Sequence, residues 1–193
     1  MAEQRIVLVD SDSNWRKNLK MMLTKLGYWV VGETGDGLNA LKMVRSRQPE
    51  LVIIDAGISG LDGFEVAKII HEDKLAPVIV LTTTYSQSMI EKAKEARVSA
   101  LLTKPVDEMS ILPAIELALS GYSEIVKLES KVKELKELLE TRKILEKAKG
   151  ILMETMGLSE AEAFRRMQKQ SMNKRISMRQ VAEAVILAQN LKS

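Results

Sequence analysis

The chain has 193 residues, 46% apolar and 28% charged, a balance that suits one globular domain of about 100–150 residues plus a smaller module. It contains no cysteine and one histidine, His71, which excludes disulfides, thiolate metal sites, cysteine nucleophiles and a histidine metal cluster. Net charge is +3 but uneven: residues 122–193 carry 15 basic and 10 acidic side chains, and from Arg142 onward there are 11 basic, 5 acidic and no aspartate, which suggests a polyanionic partner for the C-terminal part.

Met1-Ala2-Glu3-Gln4-Arg5 lacks the apolar stretch and cleavage site of a signal peptide, and no apolar run approaches the roughly 20 residues of a membrane span. A cytoplasmic protein without membrane contact is expected. Ile6-Val7-Leu8-Val9 reads as a strand ending at Asp10. Residues 14–26 follow with helical spacing and stop at Gly27. Trp29 to Gly32 is a second strand, residues 37–47 a second helix, and Leu51-Val52-Ile53-Ile54 a third strand ending at Asp55. Phe64 to His71 is helical, with His71 a surface residue at its end rather than a phospho-donor. Pro77 to Leu81 is a strand ending at Thr82, Ser88 to Ala96 a helix, Ala100-Leu101-Leu102 a fifth strand running into Thr103-Lys104-Pro105, and Asp107 to about Leu119 a fifth helix. Strands apolar on both faces predict an α/β fold, a doubly wound five-stranded parallel sheet, with its ligand site outside the carboxyl ends of the strands. Asp10, Asp55, Thr82 and Lys104 stand at four of those ends.

Composition shifts at Gly121. Ile125, Leu128, Val132, Leu135 and Leu139 alternate spacings of three and four, a heptad seam just over two heptads long before Arg142 falls in register. It is short enough to be marginal alone. Three short helical segments then follow: one through Ile144, Ala148, Ile151 and Leu152, ended by Gly157; one opened by Ser159 with Glu162; and one opened by Ser177 with Gln180. The expected domains are residues 1–121, a coiled-coil linker helix over 122–141, and a small three-helix all-α domain over 142–193. Met21, Met22, Met153, Met156, Met167, Met172 and Phe164 read as core.

The set Leu8-Val9-Asp10, Leu51 to Asp55, Leu61-Asp62-Gly63, Val80-Leu81-Thr82 and Lys104-Pro105 resembles the receiver domain of two-component response regulators, in order and at matching spacing over residues 5–119. The chemistry accounts for the residue types. A carboxylate can take a phosphoryl group as an acyl phosphate, and Mg²⁺ on oxygen ligands neutralises the moving charge. The resemblance implies Asp55 as phospho-acceptor and metal ligand, Asp10 and the Gly57 carbonyl as further Mg²⁺ ligands, Lys104 and Thr82 as phosphate contacts, and a sensor histidine kinase as phosphoryl source. Three positions depart from the family: Ser11 stands where a second acid is usual, with Asp12 next to it; Ser59 replaces a common proline; Leu101 occupies the usual aromatic switch position. Ser11 or Asp12 is left as an additional ligand candidate, and the loss of a carboxylate predicts weaker Mg²⁺ binding and slower phosphorylation.

Residues 142–187 resemble the ANTAR domain of transcription antiterminators, through Arg142, Ile144, Ala148-Lys149-Gly150, Leu152-Met153, Gly157, Ser159-Glu160, Glu162-Ala163-Phe164, Met172, Ala182 and Ile186. That likeness implies binding of paired RNA hairpins and antitermination by a homodimer joined through the coiled coil. Candidate RNA contacts are Arg142, Lys147, Lys149, Gly150, Arg165, Arg166, Lys169, Lys174, Arg175 and Arg179, with Lys143 adding charge. Gly150, costly inside a helix, reads equally as close approach to RNA or as helix packing. Two rivals stand beside this reading: a DNA-binding regulator, since Ser159 to Asn190 has helix-turn-helix-like spacing, and a protein-interaction module. No catalytic constellation beyond self-phosphorylation is present, so no separate enzyme activity is expected.

Overall fold

Strand β1 (Arg5–Val9) sends Val7 and Val9 to one face and Ile6 and Leu8 to the other, and all four are buried. The same period of two recurs in β3 (Leu51–Asp55) and β4 (Val78–Thr82), so both faces of the sheet need a cover. With β2 (Trp29–Thr34) and β5 (Ala100–Thr103) they form a fully parallel sheet in the order β2-β1-β3-β4-β5. Helices α2 (Gly37–Arg47), α3 (Gly63–Glu72) and α4 (Gln87–Glu95) bury Leu41, Val44, Phe64, Val66, Ile70 and Ala93 on one face. Helix α1 (Ser13–Lys25) and the first turns of α5 (Glu108–Met156) bury Leu19, Leu23, Ile111, Ile115 and Ala118 on the other. The computed structural model describes residues 4–191, and the chain divides into a first unit ending at Val126 and a second beginning at Lys127.

Polar residues start the helices by occupying orphan amides: Asp12 caps α1, Asp36 caps α2 and Asp62 caps α3. Gly27, with φ at +89°, ends the α1 region as expected.

The largest difference from the expected elements lies in α5. The sequence predicts a helix ending near Leu119, a linker helix over 122–141 and a separate short helix beyond Arg142. Instead one helix of 49 residues runs without a break from Glu108 to Met156. Pro113 sits near its start and removes only the bond to the Met109 carbonyl. Gly121 costs about 1 kcal/mol relative to alanine, too little to stop a helix flanked by good helix formers. An 18-residue stretch of α5 matches a membrane span in length and apolarity. Ile111, Ile115 and Ala118, in its first turns, are buried against the sheet of the first unit.

In the second unit α5 is joined by α6 (Glu160–Lys174) and α7 (Met178–Asn190), both opened by capping boxes, Ser159 with Glu162 and Ser177 with Gln180. The core is thin: Ala148, Leu152, Ala163, Met167, Val181 and Ala182. Three of these are fully buried alanines, which lets the helices approach closely. Phe164 is not part of this core but 43% exposed, and Met21, Met153, Met156 and Met172 are exposed as well. Helical spacing marks these side chains as lying on a face but does not say whether their own chain covers that face.

Candidate functional site

The strand order reverses between β1 and β3, so the helices that follow these strands leave on opposite faces and open a crevice at their carboxyl ends. Asp10 follows the last residue of β1 and Asp55 is the last residue of β3, which places both carboxylates there. They are almost wholly buried, and Lys104, one residue past β5, bridges them: its Nζ lies 2.5 Å from Asp10 Oδ2 and 2.7 Å from Asp55 Oδ1. Burying a carboxylate without a partner is costly, so Lys104 holds the pair in place. Two carboxylates and one ammonium leave one negative charge at the floor of the crevice.

The remaining oxygens are set by the backbone. Asp55 Oδ2 accepts from the Gly57 amide at 2.9 Å, and Asp10 Oδ1 accepts from the Asp12 amide at 2.9 Å. Ser11 Oγ donates to the Gly57 carbonyl at 3.3 Å, so serine reaches the ligand position named for that carbonyl but brings no charge. Asp12 lines the crevice beside Asp10 and Asp55, and its Oδ1 accepts from the Asn14 and Trp15 amides as the α1 cap. The oxygen donors suit a hard cation, with Asp10, Asp55 and the Gly57 carbonyl available, and among the described residues no three acidic or histidine side chains are grouped to hold a metal. Thr82, the last residue of β4, is buried on the side of the crevice that also exposes Asp55 and Gly57. Its hydroxyl donates to the Thr84 carbonyl at 2.9 Å, and that bond has to be given up before Thr82 can serve another acceptor.

Trp15 and Arg16 were not singled out as site residues by the sequence, and Gly63 was named only within the Leu61-Asp62-Gly63 motif. Gly63 opens α3 where a Cβ would collide with the backbone carbonyl of Asp55, so only glycine lets α3 start this close to the acceptor. Trp15 presents its ring 5.3 Å from Lys104 Nζ, and the Arg16 guanidinium donates to the Asp10 carbonyl. The signal for both was weak, a Trp-Arg pair early in a helix whose apolar face is otherwise aliphatic.

The basic candidates of the second unit behave differently from one another. Arg142, Lys147, Arg165, Arg166, Lys169, Lys174 and Arg175 are exposed, as is Lys143. Arg179 is partly covered; its guanidinium donates to Glu183 at 2.8 Å, and that bond raises its pKa. Lys149 departs from the expectation of an RNA-facing cation. It is buried, held 2.8 Å from Glu146 and 2.6 Å from Glu160. Hydrogen bonds to Glu146 and then Glu160 raise its pKa, and the bond from Lys149 lowers that of Glu160. Its charge is spent inside the chain. Apart from its own turn of helix, no atom of the described residues lies within 4 Å of where a Cβ of Gly150 would stand, so packing against another helix of this chain does not account for the glycine.

Comparison with known proteins finds two families along the chain. The model of the response regulator receiver domain matches residues 6–116, and that of the ANTAR domain matches residues 133–186. The transcriptional regulatory protein PdtaR of Mycobacterium tuberculosis is 39% identical over 183 residues, which is 95% of this chain and 89% of the relative. Protein PilH of Pseudomonas aeruginosa is 31% identical over 120 residues, covering 61% of this chain and 98% of its own length. Among solved structures, a CheY-like receiver domain protein from Methanospirillum hungatei superposes with a TM-score of 0.59 at 22% identity, covering 64% of this chain and 98% of that one, a likeness of fold alone.

Proposed function

The chain belongs to the two-component response regulators, a receiver joined to an ANTAR domain, and from that premise we propose that phosphorylation of Asp55 promotes self-pairing and binding of RNA hairpins, causing transcription antitermination. The observation that carries the phosphorylation step is the contact of Lys104 with both Asp10 and Asp55 at the topological switch point. A carboxylate oxygen of Asp55 attacks phosphorus as the bond to the leaving group breaks, and the electron pair departs with that group, a kinase imidazole or the acetate of acetyl phosphate. Lys104 stays beside the new phosphoryl as a point charge, which loosens its hold on Asp10. Thr82 turns its hydroxyl from the Thr84 carbonyl to a phosphoryl oxygen, and the loop after β4 follows. Asp10, Asp55 and the Gly57 carbonyl would hold Mg²⁺, which when bound offsets charge on the phosphoryl oxygens. Ser11 in place of an acid makes this a weaker metal site than one with three carboxylates.

For output, exposed cations on the second unit support a polyanionic ligand, with Arg142, Lys147, Arg165, Arg166, Lys169, Lys174 and Arg175 the contacts. Lys149 is reassigned from contact to internal clamp. The seam from Ile125 to Leu139 is exposed and pairs two chains, so that two modules meet two hairpins and gain avidity. Catalysis is limited to the protein's own phosphoryl transfer and release. Incubation with acetyl phosphate and Mg²⁺ followed by intact-mass measurement tests the first step: one added phosphoryl on the wild type and none on Asp55→Ala is expected. Gel shifts with a two-hairpin RNA against duplex DNA test the second, and preference for the duplex would overturn it.

A further inference from the structure

The apolar stripe of α1 runs back through Leu26, Leu23, Met22 and Leu19 to Trp15, and all five pack against one face of the sheet. Trp15 is the third residue of the helix, so its ring stands at the end of the stripe nearest Asp10 and lines the crevice beside Asp10, Asp55, Lys104 and Pro105. An aliphatic side chain would continue the stripe there. Tryptophan instead adds a polar group without use, since its Nε1–H is buried with no hydrogen-bond partner among the described residues. A buried donor left unpaired is unfavourable, so another contact must offset it. The ammonium of Lys104 supplies one. Its Nζ lies 5.3 Å from the centre of the Trp15 ring, inside the roughly 6 Å over which a cation is attracted to an aromatic face. Burial decides the strength of such a contact. Lys92 lies 6.0 Å from the Phe64 ring, but its side chain is 52% exposed and water competes for its charge. The Lys104 side chain is mostly buried, and its attraction to the ring is little screened. The ring is also fixed to the strand that carries Asp10. The Trp15 amide donates to Asp12 Oδ1 at 3.1 Å, and the guanidinium of Arg16 donates to the Asp10 carbonyl. The indole therefore keeps its place when the charges in the crevice change.

We propose that Trp15 is a positioning residue for Lys104: its face holds the ammonium in the crevice while the lysine passes from Asp10 to the phosphoryl oxygens. This rests on phosphoryl transfer to Asp55 as read above. Before transfer, Asp10 and Asp55 take two of the three donors of Nζ, and the ring lies beside them. As the phosphoryl arrives, Lys104 loosens from Asp10. An ammonium on a flexible four-carbon stem is then able to swing toward water. Attraction to the indole face resists that swing. It does not depend on which proton points at the ring, so it does not compete with carboxylate or phosphoryl oxygens for a hydrogen bond. Ser11 brings no charge to the crevice, so more of the stabilisation of the moving phosphoryl falls to Lys104, and its placement matters more.

Phosphoryl incorporation from acetyl phosphate with Mg²⁺, followed by intact mass on the full-length protein, gives rates for the wild type, Trp15→Phe and Trp15→Leu, each with Lys104 and with Lys104→Met. Trp15→Leu is expected to slow incorporation about three- to tenfold, with Trp15→Phe between it and the wild type, the order in which these side chains attract a cation. In the Lys104→Met background the same substitution is expected to change the rate by less than about twofold, because the ring acts through the lysine. Emission gives a reading free of donor and metal. The other tryptophan, Trp29, is 55% exposed at the start of β2, and Trp29→Phe leaves Trp15 as the sole indole. In that background Lys104→Met is expected to change the emission and Lys92→Met to leave it as it was. Equal rates for Trp15→Phe and Trp15→Leu, or equal slowing with and without Lys104, reduce the ring to packing and overturn the proposal. So does emission that ignores Lys104→Met. An unaltered rate with a shorter-lived acyl phosphate overturns it too, making the ring a shield against water. All of these leave Asp55 standing as acceptor, whereas no label on the wild type overturns both readings. If Trp15→Leu loses its helix content, the Trp15→Phe rates and the emission decide the matter.

Discussion

Each unit of the molecule buries one lysine between two carboxylates, and the two arrangements mean different things. Lys104 and Lys149 have side chains only 15% and 11% exposed. The partners of Lys104, Asp10 and Asp55, are buried as deeply as the lysine, whereas the partners of Lys149, Glu146 and Glu160, are more than half exposed. Remove Lys149 and its carboxylates return to water. Remove Lys104 and two buried carboxylates share the crevice with the Gly57 and Asp12 amides still bonded to them but no counter-charge between them. The first unit thus stores an electrostatic imbalance that a divalent ion or a phosphoryl group can act on, and the second holds a static clamp between α5 and α6.

Substitutions at the two lysines and their surroundings sharpen this contrast. The largest effect is expected from Asp55→Ala, which removes the acceptor: phosphoryl incorporation from acetyl phosphate falls to the background seen by intact mass. Lys104→Met comes next. It breaks a buried ion pair and lowers stability by about 3 kcal/mol without metal, and Mg²⁺ restores more stability to this variant than to the wild type because it meets the unpaired carboxylates. Equal Mg²⁺ response in both, measured by thermal unfolding, would break the comparison. Gly63→Ala pushes a Cβ against the Asp55 carbonyl, so it is expected to cost about 1–3 kcal/mol and to slow phosphorylation, read by chemical denaturation and by a time course of incorporation. Arg175→Ala is expected to weaken RNA binding a few-fold and to reduce the slope of log affinity against log salt by about 0.7–0.9. Lys149→Met is smallest: RNA affinity drops, but the salt slope stays, because this cation faces carboxylates and not phosphates.

The clamp also has a sign in pH. The carboxyl of Glu160 is held below its ordinary range by Lys149, so its stabilisation is complete at neutral pH, above the unfolded value of about 4.3. It is lost as acid brings pH down through the lowered folded value. Lys149→Met is expected to flatten that part of the acid-unfolding profile.

How much of this was legible beforehand differs between the units for a physical reason. Strands β1, β3 and β4 are apolar on both faces, and a chain that buries both faces of a strand leaves little choice but a covered parallel sheet. Asp10, Asp55, Thr82 and Lys104 then fall together at one edge by topology alone. The second unit is less determined. Spacing could not tell a face buried within the chain from one left open, so Phe164, Met153 and Met156 read as core. Nor did the sequence reveal that Lys149 is paired, since Glu160 lies across the turn at Gly157 and joins it only when α6 folds back. Continuity of α5 was missed because Gly121 and the change in composition look like a boundary, yet neither is a strong enough breaker to interrupt a helix.

The central claim is that a doubly charged group arriving on Asp55 controls how two chains pair and hence how tightly they hold RNA. The most direct measurement is the affinity for a two-hairpin leader RNA, with and without acetyl phosphate and Mg²⁺, for the wild type and Asp55→Ala at matched salt. Tightening of roughly 10²-fold in the wild type and none in the variant is predicted, the size expected when two modules act together. Equal affinity for phosphorylated and unmodified wild type, or an Asp55→Ala protein that binds as tightly as the phosphorylated one, would contradict it.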